Sequence, residues 1–398
     1  MGELAGRPNI LFFHVDNLGF GELSCYSGGP FRGASTDRID AFAGEGFRLT
    51  NYCPESQCTP TRSALLTGRH AIRSGTHSVP IGSSGGWGLV AWEKTLGELL
   101  RDAGYACAAY GKWHVGEGRG RWPTDRGFEE WYGPPRTYDE ALWPTDPWYD
   151  PDRDPVSRML EIKRGEPDVT EGEQLTLDVR RDCDAEYLRR AETFIRRSVQ
   201  GDAPFFLYFN HSLLHMPVIP RAEFKGRSGQ GDWADSLLEL DTDFGTLLDL
   251  LDELDVADDT LVVFAGDNGP EDVLLWRGSP GYWEGSYFAG GRGTCALRAS
   301  FAGQGASRRG GRATRSCTSP TGSPQCCTRP GRASPPTASS TASISSTGSR
   351  ADPTPRAARA TSTGWALECT VPSGAISSSF SSPSGTCRTQ PRSFPLPA

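Results

Sequence analysis

Apolar runs recur along the first 289 residues, each ending in a polar cluster and each followed by a segment of helical periodicity. Residues 9–15 (NILFFHV), 204–210 (PFFLYFN) and 260–265 (TLVVFA) are nearly continuous in apolar side chains, the pattern of strands buried on both faces. Residues 47–52 and 105–110 predict two more strands. Residues 36–45 open on a threonine cap and carry Ile39, Phe42 and Ala43 on one helical face. Pro60 can start a helix that continues through residues 63–67, because a first turn tolerates proline. Further helices are predicted over 95–103, 184–199 and 233–254. Strands separated by helices imply an α/β architecture, a central sheet flanked by helices.

Four of the predicted strands end in polar clusters: Asp16-Asn17, Lys112 with His114, His211 with His215, and Asp267-Asn268. Sheets of this kind collect ligands at the carboxyl ends of their strands, so these clusters are expected to converge. Residues 115–180 are rich in Trp, Pro, Asp and Gly and read as an insertion beside the pocket.

Length and charge narrow the picture. The 398 residues suit one large α/β domain or two. A formal charge of -8 argues against a nucleic-acid footprint. The first residues lack a basic stretch followed by a long apolar one, and the apolar run at 10–15 is too short to span a bilayer; a cytoplasmic protein without membrane contact is expected. The 11 cysteines show no paired spacing, which argues against a zinc site or a disulfide framework.

Composition changes near residue 290. From Arg292 onward there are two acidic residues, Asp352 and Glu368, no lysine and 13 arginines. Runs such as TASSTASISSTGS carry neither helical nor strand periodicity. Two regions follow: a catalytic domain over 1–289 and an Arg/Ser/Pro/Ala-rich tail over 290–398, expected to be disordered. The chain holds 4 lysines against 37 arginines, as GC-rich coding would give, and the tail reads as the product of a frameshift.

Asp16, Asn17, Asp267 and Asn268 offer carboxylate and amide oxygens, the donors of a hard cation such as calcium or magnesium. Either Asp-Asn pair alone also reads as a plain turn. Lys112 is a candidate fixed cation for an anionic group, and His114 and His215 are candidate proton carriers. His14 and His70 read as packing residues, and His211 stays open. Cys58, in CTPTRSALLTGR, is a structural thiol, a metal ligand, a nucleophile or a residue that is converted into something else.

The segments PNILFFHVDNLGFGE, CTPTRSALLTGR, YGKWHVG, HMP and FAGDNG occur in the order and approximate spacing of one family. Over residues 7–290 the chain resembles the type I sulfatases of the alkaline phosphatase superfamily. That resemblance implies an alkaline phosphatase-like mixed sheet, with the small C-terminal subdomain not recognisable here. It implies an arylsulfatase-type sulfuric ester hydrolase acting on a small-molecule or saccharide sulfate ester. Cys58 would be oxidised to formylglycine by a maturation enzyme that reads C-x-P-x-R. One hydroxyl of the hydrated aldehyde would attack sulfur, and the other would drive release of sulfate. Asp16, Asn17, Asp267, Asn268 and residue 58 would hold the metal, calcium in preference to magnesium. Arg62 would brace the diol, Lys112 would neutralise the sulfate, His114 would take the diol proton, and His215 would protonate the leaving oxygen. Many members carry Asp-Asp where this chain has Asp16-Asn17, which removes one negative charge. Many also place a second substrate lysine near residue 290, and no lysine follows Lys225. A phosphonate or phosphate-ester hydrolase on the same fold, and an inactive product of a damaged gene, are the alternatives.

Overall fold

The computed structural model describes residues 7–26, 28–80, 86–166, 169–289 and 299–303. In chain order the main elements are β1 (Asn9–Val15), α1 (Asp37–Glu45), β2 (Phe47–Arg48), α2 (Cys58–Thr67), α3 (Ala71–Ser74), α4 (Leu96–Asp102), β3 (Ala106–Gly111) and β4 (Glu130–Gly133). They continue with β5 (Arg158–Lys163), β6 (Thr170–Gln174), α5 (Leu177–Val199), β7 (Phe205–His211), α6 (Asp232–Glu253), β8 (Thr260–Gly266), the short pair β9 (Asp272–Val273) and β10 (Trp276–Arg277), and β11 (Ala299–Gly303).

Nine strands form one mixed sheet in the order β2-β11-β8-β1-β7-β3-β4-β5-β6. The centre, β8-β1-β7-β3-β4, is parallel, and both flanks are antiparallel. The apolar runs take the centre because a strand there is covered on both faces; all seven residues of β7 are buried. Along β1 the side chains alternate. Leu11, Phe13 and Val15 pack with residues of α1, α5 and α6, whereas Phe12 packs with Leu65 and Leu66 of α2 on the opposite face. The helices that follow the strands therefore sandwich the sheet, and the polar ends of β1, β3, β7 and β8 lie side by side.

Local chemistry fixes the helix ends. Thr95 and Glu98 form a reciprocal capping box at the start of α4. Gly68 ends α2 in the left-handed conformation, at a φ of 66°.

Several expected boundaries move. The strand predicted over 47–52 is only Phe47–Arg48. Helix α5 begins at Leu177 rather than at 184, because the Thr176 hydroxyl accepts from the Val179 amide and caps an earlier start. Residues 115–180 do more than line a pocket: they supply β4, β5 and β6, which extend the sheet. Strand β11 falls inside the segment expected to lack strands, with its backbone paired antiparallel to β8 and β2. The rest of the 290–398 tail, and with it the expectations about disorder and the C-terminal subdomain, lies outside the described residues. Among the described residues no helix is long and apolar enough to cross a membrane.

Candidate active site

Cys58 is the first residue of α2, and every residue from Cys58 to Leu66 is buried. One turn further on, Arg62 lies on the same side of the helix. Its guanidinium Nη2 is 3.0 Å from Asp267 Oδ2 and 3.4 Å from Asp16 Oδ2. Its Nη1 donates to the Lys112 carbonyl at 3.0 Å and to Asn210 Oδ1 at 2.7 Å. One buried arginine thus ties together the ends of β1, β3, β7 and β8.

Lys112 follows β3 and points its Nζ at Asp16, 3.0 Å from Oδ2. Burial alone would raise the Asp16 carboxyl, but Lys112 and Arg62 hold it well below the ordinary carboxylate range. Asp267 is raised, first by burial and then by the neighbouring Asp16 charge. Asn17 and His114 both hold left-handed backbones, at φ of 53° and 55°. Such a conformation costs energy in a residue with a Cβ and persists where surrounding contacts enforce it.

The Cys58 sulfur is 3.1 Å from His114 Nδ1 and 3.7 Å from the Tyr287 hydroxyl. Burial pushes the thiol up to about 11, so at neutral pH it is not a thiolate. This argues against Cys58 acting as a nucleophile as encoded. His114 is lowered, mainly by burial and then by Lys112.

His215 comes from the loop after β7. Its Nδ1 donates to the Met216 carbonyl at 2.7 Å, which leaves Nε2 to accept from the Thr137 hydroxyl at 3.0 Å. Burial, then Lys112, lowers it to about 3.

Oxygen donors crowd the ends of β1 and β8. Asn17 N donates to Asp267 Oδ1 at 3.1 Å, and Asn268 Nδ2 donates to Asn17 Oδ1 at 2.5 Å. Asn268 Oδ1 is buried and accepts no hydrogen bond, and Asp16 Oδ2 is held by its ion pairs with Lys112 and Arg62. No group of three or more His, Cys, Asp or Glu among the described residues is placed to hold a metal. The donors here are two carboxylates and two amides, with the Asn268 oxygen left over, and that set fits a hard cation.

The nine sequence-predicted residues, Asp16, Asn17, Cys58, Arg62, Lys112, His114, His215, Asp267 and Asn268, therefore share one buried region. Three further histidines make other contacts. His211 pairs with Asp243 at 3.1 Å and faces Asp184 at 3.8 Å. His14 Nδ1 meets the Tyr208 hydroxyl at 2.9 Å inside the core. His70 lies 3.6 Å from Glu55 near the surface. Sequence reasoning missed Glu271, whose Oε1 accepts from Asn17 Nδ2 at 2.5 Å, and Tyr287 beside Cys58. Glu271 follows Asp267 in the same short loop, and that proximity was the available signal. Tyr287 stands in the region where a second substrate lysine was expected. A groove of about 820 Å³ lined by Phe31, Arg32, Trp233, Leu275 and Arg277 includes none of these residues.

Comparison with known proteins bears on this geometry. The profile of the Sulfatase family matches residues 8–298. Human arylsulfatase A is 34% identical over 289 residues, covering 69% of this chain and 54% of the relative. Human N-acetylgalactosamine-6-sulfatase is 36% identical over 279 residues, covering 66% of this chain and 50% of the relative. The chain thus spans about half the length of these curated relatives. A sulfatase crystal structure from Pseudoalteromonas sp. superposes with a TM-score of 0.69 at 30% identity, covering 75% of this chain and 62% of the other.

Proposed function

We propose a function on one premise: the chain belongs to the sulfatase family. The proposal is hydrolysis of sulfate esters, of an aryl alcohol or of a sugar, to the free alcohol and sulfate. The observation that carries it is the position of Cys58. Its sulfur lies against His114, one helical turn from Arg62, in a region that also holds Lys112, two carboxylates and two amides.

The thiol sulfur stands where an oxygen of the converted residue would stand. Formylglycine at position 58, made by a maturation enzyme reading Cys58, Pro60 and Arg62, supplies a hydroxyl nucleophile toward sulfur. Asp16, Asn17, Asp267 and Asn268, with residue 58, would hold a divalent cation, calcium in preference to magnesium, which would supply Lewis-acid polarisation of a sulfate oxygen.

The chain's own residues do the rest. Lys112 and Arg62, fixed by Asp16 and Asp267, present positive charge without reorganising, which counts most where charge builds in the transition state. His114, neutral at neutral pH and 3.1 Å from the position 58 side chain, is set to accept a proton from it. His215, anchored through Nδ1, has Nε2 free to exchange the Thr137 hydroxyl for the leaving oxygen. The Tyr287 hydroxyl, 3.7 Å from the sulfur, is placed to donate to a sulfate held at residue 58.

Co-expression with a formylglycine-generating enzyme, followed by mass spectrometry of the peptide containing residue 58, tests the reading. The expected result is the aldehyde at position 58, sulfate release from an aryl sulfate, and no turnover by Cys58→Ala. An unmodified cysteine under those conditions would remove the mechanism.

A further inference from the structure

Glu271 is a carboxylate that no step above uses, and it is only 2% exposed. It sits four positions past Asp267, and its Oε1 accepts from Asn17 Nδ2 at 2.5 Å and from the Met216 amide at 3.3 Å. Asn17 in turn accepts from Asn268 through Oδ1. Two arguments give this contact meaning.

The first concerns orientation. A carboxylate offers only acceptors, so the amide nitrogen of Asn17 must face Glu271 and the amide oxygen must face away, toward Asn268. The orientation that presents Asn17 Oδ1 to the cation donors is thus dictated by Glu271. An aspartate at position 17 would instead set two carboxylates against each other.

The second concerns charge. Asp16 and Asp267 contribute two negative charges, and Arg62 and Lys112 contribute two positive ones. The buried cluster is therefore balanced before any cation enters. A divalent cation adds two positive charges and a sulfate monoester supplies one negative, which leaves one positive charge in excess. Uncompensated buried charge is costly, and a third carboxylate removes the excess.

We propose that Glu271 is the positioning carboxylate of the cation centre, holding Asn17 with its oxygen toward the cation and carrying the negative charge that Asn17 lacks. Asn17 and Glu271 form a matched pair in which the charge has moved one hydrogen bond outward. The inference rests on the cation reading given under the proposed function.

Calcium titration of the chelator-stripped full chain by calorimetry, alongside thermal melts in chelator, provides the test. Glu271→Gln keeps an acceptor for Asn17 and Met216 but loses the charge. It should weaken calcium binding about 10- to 100-fold while leaving the melt in chelator no lower than wild type. The double variant Asn17→Asp with Glu271→Gln returns the charge to position 17 and should recover affinity by about tenfold over Glu271→Gln. Wild-type affinity in Glu271→Gln, or a double variant as weak as the single one, would overturn the inference while leaving the cation site intact. If Glu271→Gln melts low in chelator, the double variant alone decides: affinity near wild type supports the pairing, and loss of binding refutes it. Wild-type protein that binds neither calcium nor magnesium would overturn the cation reading itself, and this inference with it.

Discussion

His114 and His215 divide the proton work through a shared property, since burial leaves both rings uncharged at neutral pH. A neutral ring suits His114, which must accept a proton. It handicaps His215, which must carry one to the leaving oxygen. With its pKa lowered to about 3, mainly by burial and then by Lys112, the protonated fraction of His215 falls tenfold for each pH unit above that value. An incoming sulfate offsets Lys112 and raises it, so activity should favour acid. The matured chain is expected to lose kcat/KM on an alkyl sulfate as pH rises from about 5 to about 8, and to lose less on a nitrophenyl sulfate, whose leaving oxygen needs no proton. His215→Ala should flatten the alkyl-sulfate profile and lower its kcat/KM about 10²- to 10⁴-fold. Equal losses on both substrates would remove His215 from the acid role. Residues of this kind were legible because strand ends and motifs mark them. Tyr287 was not, because nothing in YWEGSYFAGG says which aromatic ring returns to Cys58; its 3.7 Å approach is a product of tertiary packing. His211 could not be assigned from sequence because its partners Asp184 and Asp243 come from two separate helices.

Those two helices make a device of their own against the end of β7. Asp184 of α5 accepts from the Ser212 amide at 2.8 Å and from its hydroxyl, and Asp243 of α6 accepts from His211 and from Arg221. Arg180 of α5 donates to the His215 carbonyl at 2.8 Å, so α5 also holds the loop that carries His215. Burial would lower His211, but Asp184 and Asp243 more than offset it and raise it above its ordinary 6.5. A histidine raised in the fold stabilises fully below its unfolded pKa and loses that contribution as pH rises through the folded value. The melting temperature of wild type should therefore exceed that of His211→Gln by more at about pH 6 than at about pH 9. The gap at pH 6 should correspond to about 3–5 kcal/mol, the scale of breaking a buried pair. The nearby Glu239, pushed up to about 8 by burial, adds to the lift on His211. A gap independent of pH would mean that His211 contributes packing alone. Elements such as α5 and α6 were readable in type from periodicity but not in extent. The start of α5 depends on the Thr176 cap, and β2 stops after two residues where the apolar pattern continues to Tyr52.

Convergence of four polar strand ends was the step that connected pattern to chemistry, and it follows from topology: parallel strands β8, β1, β7 and β3 are neighbours, so their carboxyl ends must meet. The antiparallel flanks were not foreseeable, because β4 to β6 arise in a segment whose Trp-, Pro- and Gly-rich composition hides strand alternation. The segment after β8 raises a different issue. Leu274, Leu275 and Phe288 are 87%, 62% and 64% exposed, large apolar side chains just before the composition changes. Exposed apolar surface of that kind, where it is contiguous, marks an interaction face or one that another segment covers. A change of reading frame near codon 290, the reading suggested by the loss of acidic residues after Arg292, would leave such side chains uncovered. Resequencing is expected to show one inserted or deleted base there, with the other frame encoding a Glu-Gly element followed by an arginine and a proline. The chain translated in that frame should bury Leu274, Leu275 and Phe288 and melt at a higher temperature than the 398-residue chain. An uninterrupted frame in independent isolates, or two chains that melt together, would assign the exposed run to the native surface instead.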